Sequence, residues 1–492
     1  MTAQCPNAVQ QCMDAACGAE FPIERILTAC PTCARAGRGE SLLDVVYDLD
    51  AVRKTIDARR LFGPGGPAGG SGVWQFRELL PFARSEQDIV TVGEGRTILQ
   101  RATTLSRHIG LSDGLYLQYE GLNPSGSFKD NGMAAGFTHA RMVGAQVVAC
   151  ASTGNTSASL AMYAQQAGMR AFVFIGEGKI AFGKLSQALD YGATTLQIAG
   201  DFDACLARIR EIAADPKRGV YLLNSVNPFR LEGQKTIMYR VLRDLGGPIR
   251  GGRISVPDWI VVPGGNLGNC SAFAKAFIEL HALGLIERVP RLAVVNAKGA
   301  RTLDRVVNQL GIRWQPGAGA RRAAGSPLRG TYDRGAVAAE FKRMDRAKEK
   351  AHTIASAIEI NRPVNLPKAL RALHAMNGVV RSVSDDDILE HKALVGRFGY
   401  GCEPASAASV AGVTRLLNEG VIRHDETVVC ILTGHQLKDP DATVRYHTGI
   451  DTKTAQQNIG WEYRHEPGGR YANRPIRVAD DVRAILRAMG LA

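Results

Sequence analysis

Apolar and polar positions change rhythm along this 492-residue chain. From about residue 110 onward, short runs of apolar and β-branched residues alternate with longer stretches in which apolar positions recur every three to four residues. The short runs read as strands at 115–119, 146–151, 171–175, 194–198, 259–262, 292–296 and 426–432. The longer stretches read as helices at 157–167, 184–191, 203–213, 233–245, 270–283 and 405–419. This alternation predicts an α/β fold whose parallel sheets are covered by helices on both faces. In such folds ligands bind beyond the carboxyl ends of the strands.

Three segments depart from the rhythm. Residues 1–40 form a cysteine-rich head. Residues 297–352 carry turn signals and many arginines, and read as a surface excursion. Residues 451–492 read as a tail ending in a helix over 478–489. The body between head and tail, 41–450, shows no internal repeat.

Composition narrows the class. Hydrophobic content of 45% and charged content of 22% suit a globular chain with a large core. No uncharged apolar run reaches the roughly 18–20 residues of a membrane span. The N-terminus lacks both the basic and the apolar segment of a secretion leader, so a cytosolic location is expected and a membrane partner is not. A net charge of +13 favours anionic partners, either phosphorylated metabolites or nucleic acid. The basic residues, densest at 321–334 and 341–350, are mixed with acidic ones. No basic stripe interleaved with aromatics is present, so nucleic acid is not the expected partner.

Ten cysteines fall into two groups. Cys150, Cys205, Cys270, Cys402 and Cys430 are scattered and read as buried free thiols. Cys12-x4-Cys17 and Cys30-x2-Cys33 resemble the two knuckles of a tetrahedral metal site. The first pair is looser than usual, and Cys5 could replace one of its members. Structural zinc and free thiols both remain open readings.

Four loops at predicted strand ends or helix starts carry small polar residues. Asn123-Pro-Ser-Gly-Ser-Phe-Lys-Asp130 places Lys129 where a loop enters a helix. A lysine held out of water there has a lowered pKa and becomes a nucleophile. Pro263-Gly264-Gly265-Asn266-Leu267-Gly268-Asn269 joins a strand to a helix, the arrangement that cradles a phosphate with backbone amides and the helix dipole. It lacks both the Gly-Lys-Ser/Thr ending and the Gly-x-Gly-x-x-Gly spacing of nucleotide loops. Ser152-Thr-Gly-Asn-Thr156 and Thr433-Gly-His435 complete the set.

Together with Asn224-Ser-Val-Asn-Pro-Phe-Arg-Leu-Glu-Gly-Gln-Lys235, Glu403-Pro-Ala-Ser-Ala-Ala408 and Leu432-Thr-Gly-His-Gln-Leu-Lys-Asp-Pro440, these loops make the chain resemble the threonine synthases from about 92 to 439. Those are fold-type-II enzymes, similar to the tryptophan synthase β chain and dependent on pyridoxal phosphate. The resemblance implies two subdomains built on parallel sheets with the site between them. The smaller would span about 130–235, and the larger about 90–129 with 236–450. It implies Lys129 as the Schiff-base lysine and Gly265, Asn266, Leu267, Gly268 and Asn269 as the phosphate cradle. Asn155 would face the cofactor's ring oxygen and Thr433 its pyridine nitrogen. Ser152, Thr153 and Thr156 are candidates for a substrate carboxylate, and Arg230 and Lys235 for a substrate phosphate. His435 is a further candidate beside the site. The reaction implied converts O-phosphohomoserine and water to threonine and phosphate, in a homodimer. The nearest alternative is another pyridoxal-phosphate lyase or synthase, such as a cysteate synthase. A remote one is a zinc-ribbon protein that binds nucleic acid.

Overall fold

The computed structural model describes residues 8–63, 70–176, 182–199, 202–246, 253–317, 328–449, 469–473, 475–476 and 478–491. Cys5, the arginine-rich stretch 318–327 and the tail segment 450–468 lie outside them.

Two sheets organise the body. A six-stranded sheet runs in the order Val379–Val383, Arg291–Ala297, Trp259–Pro263, Val428–Leu432, Leu115–Tyr119, Ile98–Arg101. All its pairings are parallel except the last, where Ile98–Arg101 adds an antiparallel edge. A four-stranded, wholly parallel sheet runs in the order Thr194–Ile198, Arg170–Gly176, Val147–Ala151, Val220–Leu222. The central strands Trp259–Pro263 and Val428–Leu432 are buried at every position. Helices cover both faces of a parallel sheet, so the usual polar alternation disappears from its strands. The expected α/β architecture is therefore present. To these two sheets the structure adds three strands that the apolar pattern did not single out: Ile98–Arg101, Val220–Leu222 and Val379–Val383.

Helices Lys129–Met142 and Pro228–Asp244 pack together beside the smaller sheet. Glycines make their close approach possible. A Cβ on Gly233 would lie 2.8 Å from the Asn131 carbonyl carbon and 3.0 Å from Ala135 Cβ. One on Gly136 would lie 2.7 Å from Leu223 Cδ2.

The head is a three-stranded antiparallel sheet of Glu20–Pro22, Val9–Cys12 and Leu43–Val46. The region expected to be a surface excursion supports it. The pair Gln315–Pro316 and Gly330–Thr331 reaches the head, where the Gly330 N–H donates to the Met13 carbonyl at 3.0 Å and the Ala15 N–H to the Gly330 carbonyl at 3.0 Å. Arg334 pairs with Asp14 at 3.0 Å. Among the described residues, no helix is long and apolar enough to cross a membrane. The tail helix is Val482–Ala488 and buries none of its residues.

Candidate active site

Lys129 is the first residue of the helix Lys129–Met142 and is half-buried, with its Nζ 3.8 Å from the centre of the Phe128 ring. The loop before it turns at Gly126, whose φ of +83° favours glycine. This loop is zipped to the loop after Val428–Leu432. The Phe128 N–H donates to the Thr433 carbonyl at 3.0 Å, and the His435 N–H donates to the Gly126 carbonyl at 2.9 Å. Ser127 and Gly434 form an antiparallel bridge between them. Asp130 ties the same loop to the helix Asn155–Ala167. Its buried carboxylate accepts from the Ser125 N–H at 2.7 Å, the Ser125 hydroxyl at 2.5 Å and the Ser159 hydroxyl at 2.5 Å. Burial pushes its pKa up to about 6, against those hydrogen bonds.

The glycine-rich loop follows Trp259–Pro263 and opens the helix Gly268–Ala282. Leu267 adopts a left-handed φ of 64°, rare for a branched residue and a sign of a constrained turn. Among the described residues, the amides of Gly265, Asn266, Leu267 and Gly268 donate to no protein acceptor. A Cβ on Gly265 would lie 3.1 Å from both the Ala357 carbonyl oxygen and Ile358 Cα. Undirected amides at a helix start, in a cleft too tight for a side chain, suit a phosphate.

Asn155 is buried at the first turn of Asn155–Ala167. Its Nδ2 lies 3.1 Å from each carboxylate oxygen of Glu403, and its Oδ1 is buried without a partner. The Thr433 hydroxyl lies 3.4 Å from Glu403 Oε1 and 3.0 Å from the Ser406 hydroxyl. Ser152, Thr153 and Thr156 are half-buried around the same helix start, and Ser152 Oγ accepts from the Gly154 N–H at 3.0 Å. His435 is half-buried, stacked on Tyr119 with ring centres 6.2 Å apart. Its Nδ1 accepts from the Leu437 N–H at 3.2 Å, and burial lowers its pKa, reinforced by nearby Lys438.

The two basic candidates for substrate phosphate part company. Arg230 is buried with one bond, Nη1 to the Leu223 carbonyl at 2.8 Å, while Nε and Nη2 have no partner. Burial pushes its guanidinium down to about 10. Lys235 requires a correction. Its Nζ is wholly buried, 2.7 Å from Glu232 and 2.5 Å from Glu279, so its charge is already matched within the core. Two of its three N–H donors are engaged by carboxylates and the side chain is wholly buried, which places it as a structural cation.

The pattern that defines the family described as "Pyridoxal-phosphate dependent enzyme" matches residues 90–434. The chain is similar to the threonine synthase of Methanocaldococcus jannaschii, with 39% identity over 443 residues, 89% of this chain and 94% of the relative. It is 40% identical to the threonine synthase of Methanosarcina acetivorans over 429 residues, 87% of this chain and 92% of the relative. The chain belongs to the threonine synthase branch of the pyridoxal-phosphate dependent enzymes. Its fold matches the crystal structure of Escherichia coli threonine synthase with a TM-score of 0.60, covering 98% of this chain and 99% of that one at 15% identity.

The cofactor of this family fits the residues present. The free amides at 265–268 suit its phosphate, and the unpartnered Asn155 Oδ1 marks a polar position awaiting a ligand. In the head, the Sγ atoms of Cys12, Cys17, Cys30 and Cys33 all lie within 4.8 Å of one another. The Cys12–Cys33 and Cys17–Cys30 separations are 3.7 Å each. A tetrahedron of thiolates about 2.3 Å from zinc has edges of about 3.8 Å, so the four sulfurs suit that ion. Sequence reasoning passed over Glu403 and Ser406 as site residues. The available signal was an acidic residue at the head of a helix of small residues, Pro404–Asn418, whose first turn would otherwise carry no charge.

Proposed function

We propose that this chain converts O-phosphohomoserine and water to L-threonine and phosphate, using pyridoxal phosphate bound between the Lys129, Asn155, Thr433 and 265–269 loops. The observation that carries this reading is the zipper joining the Lys129 and Thr433 loops, in a site with undirected amides at 265–268. The cofactor, when bound, supplies an electron sink for negative charge at the carbons of an attached amino acid.

The chain's own residues do the rest. The Lys129 amine is the nucleophile that holds the cofactor and, once released, carries protons at the substrate's α and β carbons. Thr433 offers a neutral hydroxyl, steadied by Ser406, to the pyridine nitrogen. Ser152, Thr153 and Thr156 receive the substrate carboxylate where the dipole of the helix Asn155–Ala167 favours negative charge. Arg230 turns its two unpartnered donors to the substrate phosphate, which a guanidinium binds as a fork. The Cys12, Cys17, Cys30 and Cys33 cluster holds a structural zinc, since four thiolates leave no open position for chemistry. A homodimer in the cytosol is the expected setting.

The test is spectroscopic and kinetic. Purified protein with pyridoxal phosphate turns yellow and releases phosphate from O-phosphohomoserine. Lys129→Ala loses at least about 10³-fold in turnover. A colourless saturated wild type, or an active Lys129→Ala, refutes the reading. Faster turnover of O-phosphoserine transfers it to the alternative synthase. Metal analysis finds about one zinc per chain, lost in Cys30→Ser together with stability.

A further inference from the structure

The carboxylate of Glu403 is wholly buried and meets the two residues assigned to the cofactor's ring oxygen and its pyridine nitrogen. Both of its oxygens lie 3.1 Å from Asn155 Nδ2, and Oε1 lies 3.4 Å from the Thr433 hydroxyl. Several features fix it there. The Glu403 N–H donates to the Gly434 carbonyl at 3.0 Å, and its carbonyl accepts from the Ser406 N–H at 3.0 Å. It stands at the N-cap of Pro404–Asn418, where the helix dipole favours a negative charge. Gly434 leaves the space, because a Cβ there would lie 2.5 Å from Glu403 Cδ. The hydrogen bonds alone do not call for an acid, since a glutamine amide oxygen would accept from Asn155 as well. What a carboxylate adds is a full negative charge in a low-dielectric site.

We propose that Glu403 is a positioning residue that orients the Asn155 amide toward the cofactor ring and, through its charge, keeps the bound cofactor in its protonated, yellow form. A fixed anion beside a titrating group favours that group's protonated state. Asn155 Nδ2 carries two N–H groups, and by taking one of them Glu403 fixes the amide so that the other can donate to the ring oxygen. The titratable groups on the surrounding elements include Cys402, Tyr119, Lys129, Asp130, Lys392, His435 and Lys438. Burial pushes the Cys402 thiol up to about 12, so it stays neutral. The Asp130 carboxylate is engaged by Ser125 and Ser159. His435 points its Nδ1 at the Leu437 N–H.

This inference rests on the cofactor reading above, and the experiment separates the two. Wild type, Glu403→Gln and Glu403→Asp are loaded with pyridoxal phosphate, and visible absorption is followed from about pH 6 to about pH 10. Unfolding midpoints of the cofactor-free proteins are recorded alongside. In Glu403→Gln the loss of yellow absorption moves down by about one pH unit or more, whether wild type titrates in this range or stays yellow throughout. Glu403→Asp keeps the charge and lies between the two. Cofactor-free Glu403→Gln unfolds near wild type. If Glu403→Gln follows the wild-type pH curve, or moves upward, the proposal is overturned while the cofactor reading stands. If Glu403→Gln does not fold, Glu403→Asp and Asn155→Ala decide together: a displaced curve in either supports the proposal, and a wild-type curve in both overturns it. If wild type binds no cofactor, both fail.

Discussion

Two groups of buried polar side chains share one helix, Pro228–Asp244, through Lys235 and Arg230, and they differ in whether their charges are matched. Around Lys235 the buried charges are matched, while the Tyr239 hydroxyl beside them has no hydrogen-bond partner. Lys235 pairs with Glu232 and Glu279, Lys275 joins both carboxylates, and the Tyr47 hydroxyl donates to Glu232 at 2.8 Å. Next to them Arg371 and Lys368 close on Asp44 at 2.6 and 3.1 Å. These contacts hold the carboxyls of Glu232 and Asp44 below the usual range and weld the strand Leu43–Val46 to the body. In the second group bonds are left open on Arg230 Nε and Nη2 at the start of the helix, and on Asn155 Oδ1, Asn269 Oδ1 and Ser127 Oγ in the site loops. Unsatisfied buried groups cost stability. A fold retains them together where a ligand completes them, while a closed network speaks for architecture.

The sharpest way to break this comparison is to remove one cation from each group. Lys235→Met leaves Glu232 and Glu279 with Lys275 as the one cation they share. It is expected to cost about 3–5 kcal/mol in denaturant titration, with the KM of the folded fraction unchanged. Arg230→Met should do the reverse. It deletes two unpaired donors at similar volume, so the cofactor-free protein is as stable as wild type or more so. Its kcat/KM for O-phosphohomoserine falls about 10²–10³-fold with the cofactor spectrum intact. Should Lys235→Met lose substrate affinity and Arg230→Met lose stability, the two groups have been assigned the wrong way round.

The same pair shows what could and could not be read from sequence. Arg230 and Lys235 lie in one basic, phosphate-suited block, and composition does not separate them. Five residues apart on a helix, they point to different faces. One closing partner, Glu232, was legible as an i,i+3 pair with Lys235. The other, Glu279, comes from a helix 44 residues away and needed the fold. The strands announced themselves where apolar and β-branched residues run on, as at 428–432, and hid where charge or brevity interrupts them, as in Val379-Val-Arg-Ser-Val383 and the three residues Val220–Leu222. The four loops were legible because strand ends place ligands. Glu403 was not, because its meaning depends on Asn155, 248 residues distant.

A smaller effect tests how tightly the open group is held. Gly233 lies midway between Arg230 and Lys235 and presses on Asn131 and Ala135. Gly233→Ala would force the two helices apart. The expected cost is about 1–3 kcal/mol, despite the better helix propensity of alanine. Because Asn131 is two residues from Lys129, cofactor affinity should weaken along with stability. A stabilised Gly233→Ala would mean that the helix pair yields easily and does not hold Lys129 in place.

The smallest expected effect concerns His139, a closed buried group on the far side of the Lys129 helix. Its Nε2–H donates to the Ile23 carbonyl at 2.6 Å, its Nδ1 accepts from the Tyr221 hydroxyl at 2.6 Å, and its ring stacks 3.4 Å from Phe229. Burial pushes its pKa down to about 4 from the ordinary 6.5. Both ring nitrogens are committed to a neutral tautomer, and a second proton would leave Nδ1–H facing a hydroxyl that must then reverse. The folded state therefore resists protonation while the unfolded chain accepts it near pH 6.5. Stability from this residue is full above that pH and is lost as pH falls from there toward 4. Between pH 7.5 and pH 5.5 the loss is about 1.4 kcal/mol. His139→Gln keeps an acceptor and a donor but cannot titrate, so its unfolding free energy should change less over the same interval by about that amount. Equal pH dependence in the two proteins would show that His139 is reached by water and that the contact between head and body at Ile23 is open rather than closed.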